Sequence, residues 1–241
     1  MITFKQLANS GSRSINEDSA GSACYGESFC FAVADGLGGH GGGEVASKIA
    51  VNTVCDLFAL RGWSDSFFPE AFHLVQAEIL KEQERQHCPS RMKTTLVILV
   101  IHEGKAYYAH IGDSRLYIFK NYRLKKRTLD HSVPQMLALS GDIPEREIRH
   151  HPDRSRLLRV LGLRGDEPKF DVGMPVKLAR KMTFVLCTDG FWELAPEAEM
   201  AQQLKESLEL DTWMQHMEAV IQENGAGTEM DNYSCIAVQM K

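Results

Sequence analysis

The sequence predicts an α+β fold, an antiparallel sheet packed against helices. Three observations carry that expectation. Short apolar runs bounded by Gly, Asp or Asn dominate the chain: Ser28 to Ala34, Thr95 to Ile101, Lys105 to Ile111, Arg115 to Lys120, Met182 to Cys187 and Tyr233 to Val238. Rich in Val, Ile, Phe and Tyr, they read as strands. Helical stretches come in pairs between them, so the order is not β-α-β-α. Runs 105–111 and 115–120 are separated only by Gly112-Asp113-Ser114, which reads as a hairpin and therefore as antiparallel pairing.

The first helix is expected over Glu44 to Leu60, where Val45, Ile49, Val51, Val54 and Leu57 recur near helical spacing. Phe67 to Gln86 supplies its partner. Ser132-Val133-Pro134-Gln135 opens a later helix with a capping box and an early proline. The last long helix falls between Glu197 and Asn224, with a break near Asp211. Segment 131–167 has little strand pattern and carries Arg146, Arg149, Arg154, Arg156, Arg159 and Arg164, which acids over 142–167 nearly balance. It reads either as a flap over a site or as a helical excursion with solvated charge.

The 241 residues show no repeat, low-complexity tract or linker, and 1–241 is expected to be a single domain. At this length folding buries roughly 70–75% of the extended chain's surface, enough for a large core. The net charge of −5 gives no reason to expect nucleic acid or an anionic membrane as partner. The start, MITFKQLANSGSR, lacks a signal-peptide layout. The longest apolar run, Leu96 to Ile101, is far too short to span a bilayer. A soluble, cytoplasmic protein is expected. No pair of the six cysteines has C-x-x-C spacing, which argues against structural zinc. Cys30, Cys187 and Cys235 sit inside strand-like runs, as small buried hydrophobes in a reducing compartment would.

The acids are more informative. Asp35 follows FCFAVA and precedes Gly36; Asp189 follows TFVLCT and precedes Gly190; Asp113 follows AYYAHIG; Asp231 stands before Asn232 and YSCIAV. Glu17 and Asp18 add two more near the N-terminus. A single strand-end Asp is usually a turn former. Four of them at strand ends can project into one cleft. Two carboxylates about 5 Å apart repel by roughly 3 kcal/mol at an effective dielectric of about 20, so such a cluster requires cations. All-oxygen ligands favour Mg²⁺ or Mn²⁺. A pair of such ions sharing a water makes hydroxide available for attack on a phosphate. An arginine alongside would hold the phosphate oxygens, and Arg13, four residues before Glu17, is the natural candidate.

Between Val33 and Glu44 the chain reads VADGLGGHGGGE, which fits G-x-G-x-x-G from Gly36. A strand precedes it, a helix follows, and Asp56 lies twenty residues on. Against a dinucleotide site, Asp35 would point a carboxylate at the pyrophosphate. After the helix another helix follows rather than a second strand. No Gly-Lys-[Ser/Thr] ends the run, which excludes a P-loop, and Asp35 does not open the Asp-x-Asp of an aspartyl-phosphate enzyme. Bare backbone here instead lets the Gly36 carbonyl approach a metal and leaves room for a bulky substrate.

Taken in order, these residues resemble the metal-dependent protein serine/threonine phosphatases of the PPM type (type-2C phosphatases). The resemblance runs through Arg13-x-x-Asn16-Glu17-Asp18, Asp35-Gly36 with the glycines to Glu44-x-Ala46-Ser47, Thr94-Thr95, Gly112-Asp113-Ser114-Arg115, Asp130-His131-Ser132, Gly141-x-Ile143, Leu161-Gly162, Thr188-Asp189-Gly190 and Asp231-Asn232. It implies a four-layer α-β-β-α sandwich of two antiparallel sheets flanked by helix pairs. It implies two core Mn²⁺ or Mg²⁺ ions. Asp35 would bridge both ions, with the Gly36 carbonyl on one and Asp189 and Asp231 on the other. Glu17 and Asp18 would act through waters, Asp113 would hold a third ion shared with Asp189, and Arg13 would bind phosphate. Residues 131–167 fall where the family carries its flap. The implied partners are a phosphoprotein substrate and a cognate Ser/Thr kinase, with the chain a monomer resembling stand-alone bacterial members. Two positions depart from the pattern. Leu37 stands where some members have a histidine proposed as general acid, and Lys93 where glycine is common before Thr-Thr; His40, the nearest histidine, is expected to be structural. A member that had lost catalysis would lack a metal ligand, and none is missing.

Overall fold

The computed structural model describes residues 1–37, 41–88, 91–165, 167–207 and 209–241. Strands β1 (Ile2–Asn9), β2 (Asp18–Tyr25) and β3 (Ser28–Leu37) lead into helices α1 (Gly43–Arg61) and α2 (Phe67–Arg85). Then come β4 (Lys93–Thr94), β5 (Leu96–His102), β6 (Lys105–Ile111), β7 (Arg115–Lys120) and β8 (Arg123–Arg127). Helix α3 (Val133–Ser140), a 3-10 turn (Glu145–His150) and the short strands β9 (Asp171–Val172) and β10 (Val176–Lys177) follow. The chain ends with β11 (Met182–Cys187), α4 (Asp189–Leu194), α5 (Glu197–Glu206), α6 (Leu210–Asn224) and β12 (Tyr233–Met240).

Two antiparallel sheets stack face to face. One runs β1-β12-β11-β7-β8; the other runs β10-β6-β5-β3-β2, with β4 added to β3 and β9 to β6. The two-residue period of a strand sorts the side chains into three buried layers. Along β3, Cys30, Ala32 and Ala34 face α1 and α2, whereas Phe31 and Val33 face the opposite sheet. Along β11, Val185 and Cys187 pack under α4, α5 and α6, while Phe184 and Leu186 join the central layer. Both faces being buried, these strands read as unbroken apolar runs. The expected α-β-β-α sandwich is what forms, and Cys30, Cys187 and Cys235 are buried free thiols within it.

Two expectations need correction. Runs 105–111 and 115–120 are not a hairpin: β6 belongs to one sheet and β7 to the other. The corner between them crosses the sandwich, which Gly112 permits with φ +95° and no Cβ to strike Thr95, 2.5 Å away. The buried face of α1 centres on Ala46, Ala50 and Val54, while Val45 and Ile49 are only partly covered. The helix lies so close to the sheet that a Cβ at Gly21 of β2 would sit 2.6 Å from Val51, and small residues make that approach possible.

The other helices follow expectation. Ser132 caps α3 by accepting from the Gln135 N–H. The long C-terminal stretch breaks between Glu206 and Leu210, close to Asp211. Residues 131–167 carry α3 and the 3-10 turn and no strand among the described residues. No helix among the described residues is long and apolar enough to cross a membrane.

Candidate active site

Antiparallel pairing places the acids together. Asp18 opens β2 directly opposite Asp35 near the end of β3. β11 ends at Cys187, which pairs with both Cys235 of β12 and Arg115 of β7. Asp189, Asp231 and Asp113 therefore lie just past strand ends on the same side of the sandwich. All five aspartates reach one end, Asp18 and Asp35 from one sheet, Asp189 and Asp231 from the other, and Asp113 from the crossing between them.

Each is held by its local backbone. The Asp35 N–H donates to Thr95 Oγ1 at 2.9 Å, and the Asp35 carbonyl accepts from Thr94 Oγ1 at 2.8 Å. Thr188 Oγ1 donates to Asp18 Oδ2 at 2.8 Å. Asn232, buried, accepts from the Glu17 N–H at 2.7 Å and donates to the carbonyls of Ser10 and Ile15 at 2.9 and 3.0 Å. Its amide thus fixes the loop that presents Arg13 and Glu17. The Ser47 hydroxyl holds the Glu17 carbonyl from α1. Glycine at 36 and 43 is a packing requirement. A Cβ at Gly36 would stand 2.2 Å from the Gly43 carbonyl oxygen and 2.6 Å from that of Glu17; one at Gly43 would stand 2.6 Å from the Gly36 oxygen.

Like charges at this spacing resist ionisation. Burial, opposed by the Thr188 hydroxyl and reinforced by Asp189, pushes Asp18 up to about 7. Burial, then Glu193 and Asp231, pushes Asp189 up to about 7 as well, its carboxyl within hydrogen-bonding reach of Asp35. Asp35 and Asp113 lie well above the usual carboxylate range for the same reasons, burial first and Asp189 next. Glu17 is raised by burial and then by Glu44 and Asp231. Asp113 is 3% exposed and its Oδ1 has no hydrogen-bond partner. Such a group costs about 1–3 kcal/mol unless something occupies its lone pairs.

These residues fit hard divalent cations, which supply the missing positive charge and the missing partner. Among the described residues no three side chains already close into an ion cage. An open set suits Mg²⁺ or Mn²⁺, since Mg²⁺ in particular keeps several waters and takes few direct carboxylates.

The cleft around the acids has two lobes. One, of about 510 Å³, is lined by Arg13, Glu17, Asp35, Gly36, Leu37 and Glu44 with Asp189 and Asp231. The other, of about 580 Å³, runs from Asp189 and Asp231 past Glu193 to Arg149, His150 and Arg154. Arg13 stands at the rim, 55% exposed, donating from Nη2 to Asp231 Oδ2 at 3.1 Å. Residues 149–155 wall the second lobe, tied down by Arg154 Nε to Glu193 Oε1 at 2.8 Å. Lys93 pairs with Leu37 across β4 and β3 without a positive φ, so the backbone accepts a side chain there, and it lines neither lobe. His40, with Gly38 and Gly39, lies outside the described residues.

The motif reading included Glu44 without assigning it a role and overlooked Glu193. Glu44 opens α1 against Glu17. Glu193 follows Asp189 by four residues in α4, and i,i+4 spacing puts both on one helical face; that spacing was the available signal. The dinucleotide reading falls, because the strands flanking α1 and α2, β3 and β5, pair antiparallel.

The protein phosphatase 2C family model matches residues 8–138. The chain belongs to the protein phosphatase 2C family. It is 33% identical over 183 residues to the serine/threonine phosphatase stp of Listeria monocytogenes, covering 72% of this chain and 70% of that one. It superposes on the Mycobacterium tuberculosis serine/threonine phosphatase PstP/Ppp with a TM-score of 0.87 at 25% identity, over 100% of this chain and 99% of that one. The catalytic domain of PstP in complex with two manganese ions matches with a TM-score of 0.83 at 23% identity, over 99% and 97% of the two chains.

Proposed function

We propose that this protein phosphatase hydrolyses phosphoserine and phosphothreonine in proteins with a water activated at a dinuclear Mn²⁺ or Mg²⁺ centre, and that it opposes a Ser/Thr kinase in the cytoplasm. The observation that carries this reading is the set of buried, mutually repelling carboxylates at one end of the sandwich. Asp35, Asp189, Asp231 and the Gly36 carbonyl would hold the two core ions, Glu17 and Asp18 would act through waters, and Asp113 would serve a third. Bound there, the ions would lower the pKa of a water and offset phosphate charge. The manganese-bearing PstP structure supports the choice of metal.

Arg13 binds and orients the phosphate. Its pair with Asp231 is exposed on both sides and therefore weak, so the guanidinium can turn to phosphate oxygens bidentately. Leu37 lines the cleft and has no proton to give, so the leaving oxygen takes its proton from elsewhere. The whole chain acts as one catalytic unit, with 131–167 as the flap beside the cleft.

Hydrolysis of p-nitrophenyl phosphate tests this reading, with no metal, with Mn²⁺ or Mg²⁺, and with Mn²⁺ plus EDTA, for wild type and Asp189→Asn. Turnover should require metal and vanish in the variant. Folded wild type that turns over under no metal overturns the reading, and wild-type activity in Asp189→Asn overturns the site assignment.

A further inference from the structure

Behind the flap wall lies a second pocket that the reaction does not use. It measures about 510 Å³ and is lined by Arg115, Arg127, Arg146 and Arg149 with Glu145 and Glu197. The arginines are not equivalent. Arg115 forks onto buried Asp130, with Nη2 to Oδ2 at 2.6 Å. Arg127 pairs with Glu145 at 2.5 Å. Arg149 donates from Nη2 to Glu197 Oε2 at 2.8 Å, while the Tyr117 hydroxyl takes Oε1 at 3.0 Å. Glu197 is thus already engaged at both oxygens. Arg149 Nη1 is buried with no hydrogen-bond partner. Arg146 is exposed and has no ion pair or hydrogen bond. Three carboxylates, Asp130, Glu145 and Glu197, face four guanidiniums, leaving one positive charge and one buried donor in excess.

The pocket adjoins the catalytic cleft. Arg149 and His150 line both it and the lobe that contains Asp189 and Asp231. A peptide whose phosphorylated residue enters the cleft can send a neighbouring side chain over this wall. We infer that the pocket is a substrate subsite for an aspartate or glutamate flanking the phosphorylated residue, its carboxylate held by the exposed guanidinium of Arg146, with Arg149 adding positive charge from the wall. The inference rests on the phosphoprotein phosphatase reading above. A carboxylate, with one negative charge, matches the single excess charge; a second phosphate, with nearly two, exceeds it. Arginine is the side chain that grips a carboxylate with two parallel hydrogen bonds. The volume is that of a small-ligand site.

The test uses pairs of phosphothreonine peptides identical except for Glu or Gln at one position, moved stepwise along both sides of the phosphothreonine. For wild type, kcat/KM should favour the Glu peptide by about three- to tenfold at one such position, with the difference carried by KM. In Arg146→Gln the ratio should fall toward one, and in Arg146→Glu it should invert. Arg146 is exposed and unpaired, so neither change removes a packed contact, and circular dichroism checks the fold. Equal turnover of both peptides at every position in wild type overturns the subsite, as does a Glu preference that survives both variants. Folded wild type that hydrolyses neither the peptides nor p-nitrophenyl phosphate overturns the phosphatase reading and the subsite with it. Hydrolysis of p-nitrophenyl phosphate together with an absent Glu preference overturns the subsite alone.

Discussion

Asp18 and Asp189 sit near pH 7 in the metal-free fold, against about 4 for an aspartate in the unfolded chain. Between those values the folded protein binds more protons than the unfolded one. The stability they contribute is therefore complete below about pH 4 and lost as pH rises through about 7. EDTA-treated protein should melt at falling temperature as the pH is raised across that window. Mn²⁺ should raise the melting temperature more at pH 8 than at pH 6, since ions and protons compete for the same oxygens. Asp189→Asn should melt above wild type without metal at pH 8, by roughly 2–4 °C per kcal/mol of repulsion relieved, and should gain less from Mn²⁺. Thermal melts with and without Mn²⁺ read both effects, and a metal-free melting temperature that rises with pH would contradict them. At this scale the sequence was informative for a physical reason: an aspartate between an apolar strand and a glycine has few ways to avoid the end of the sheet. Glu44 was not legible as a site residue, because which way a helical acid faces depends on how its helix docks, and Glu193 had only its i,i+4 spacing from Asp189 to mark it.

Elements position these side chains. Asn232, at the mouth of β12, holds the loop before β2 by three hydrogen bonds. Asn232→Ala leaves the Glu17 N–H and two carbonyls without that partner, and the loop carrying Arg13 loses its anchor. The expected result is a loss of about 1–3 kcal/mol in stability and a fall in kcat/KM of at least tenfold, measured by urea unfolding and peptide hydrolysis. An unchanged kcat/KM would show that Arg13 is held by other means. Strands buried on both faces were readable; β1, β2 and β8 were not. β2 (DSAGSACY) is built of small residues that let α1 approach. β8 (RLKKR) is an edge strand whose charge is suited to blocking edge pairing. The hairpin reading of 105–120 failed because a glycine-centred corner can serve either a tight turn or a crossing, and only the second sheet decides between them.

For the molecule as a whole, the central layer ties both outer layers together. Phe31, Val97 and Leu99 of one sheet pack with Leu116, Phe184 and Ile236 of the other. A single cooperative unit should unfold in one transition. Trp63 reports the layer under α1 and α2, while Trp192 and Trp213 report the layer under α4, α5 and α6. In each single-tryptophan variant the fluorescence midpoint in urea should coincide with that variant's own far-UV circular dichroism midpoint, and a fluorescence midpoint separated from it would divide the chain into domains.

The crossing at Gly112-Asp113-Ser114 has a mechanical consequence. Because the acids are contributed by both sheets and lie at that end of the sandwich, an ion held among them, as proposed, would act as a rivet through the seam. The end of the sandwich proposed to do the chemistry would then also be its clasp. Shear between the sheets would then register first as a change in spacing among the proposed ligands, and residues packed in the seam far from the cleft would tune how tightly such ions are held.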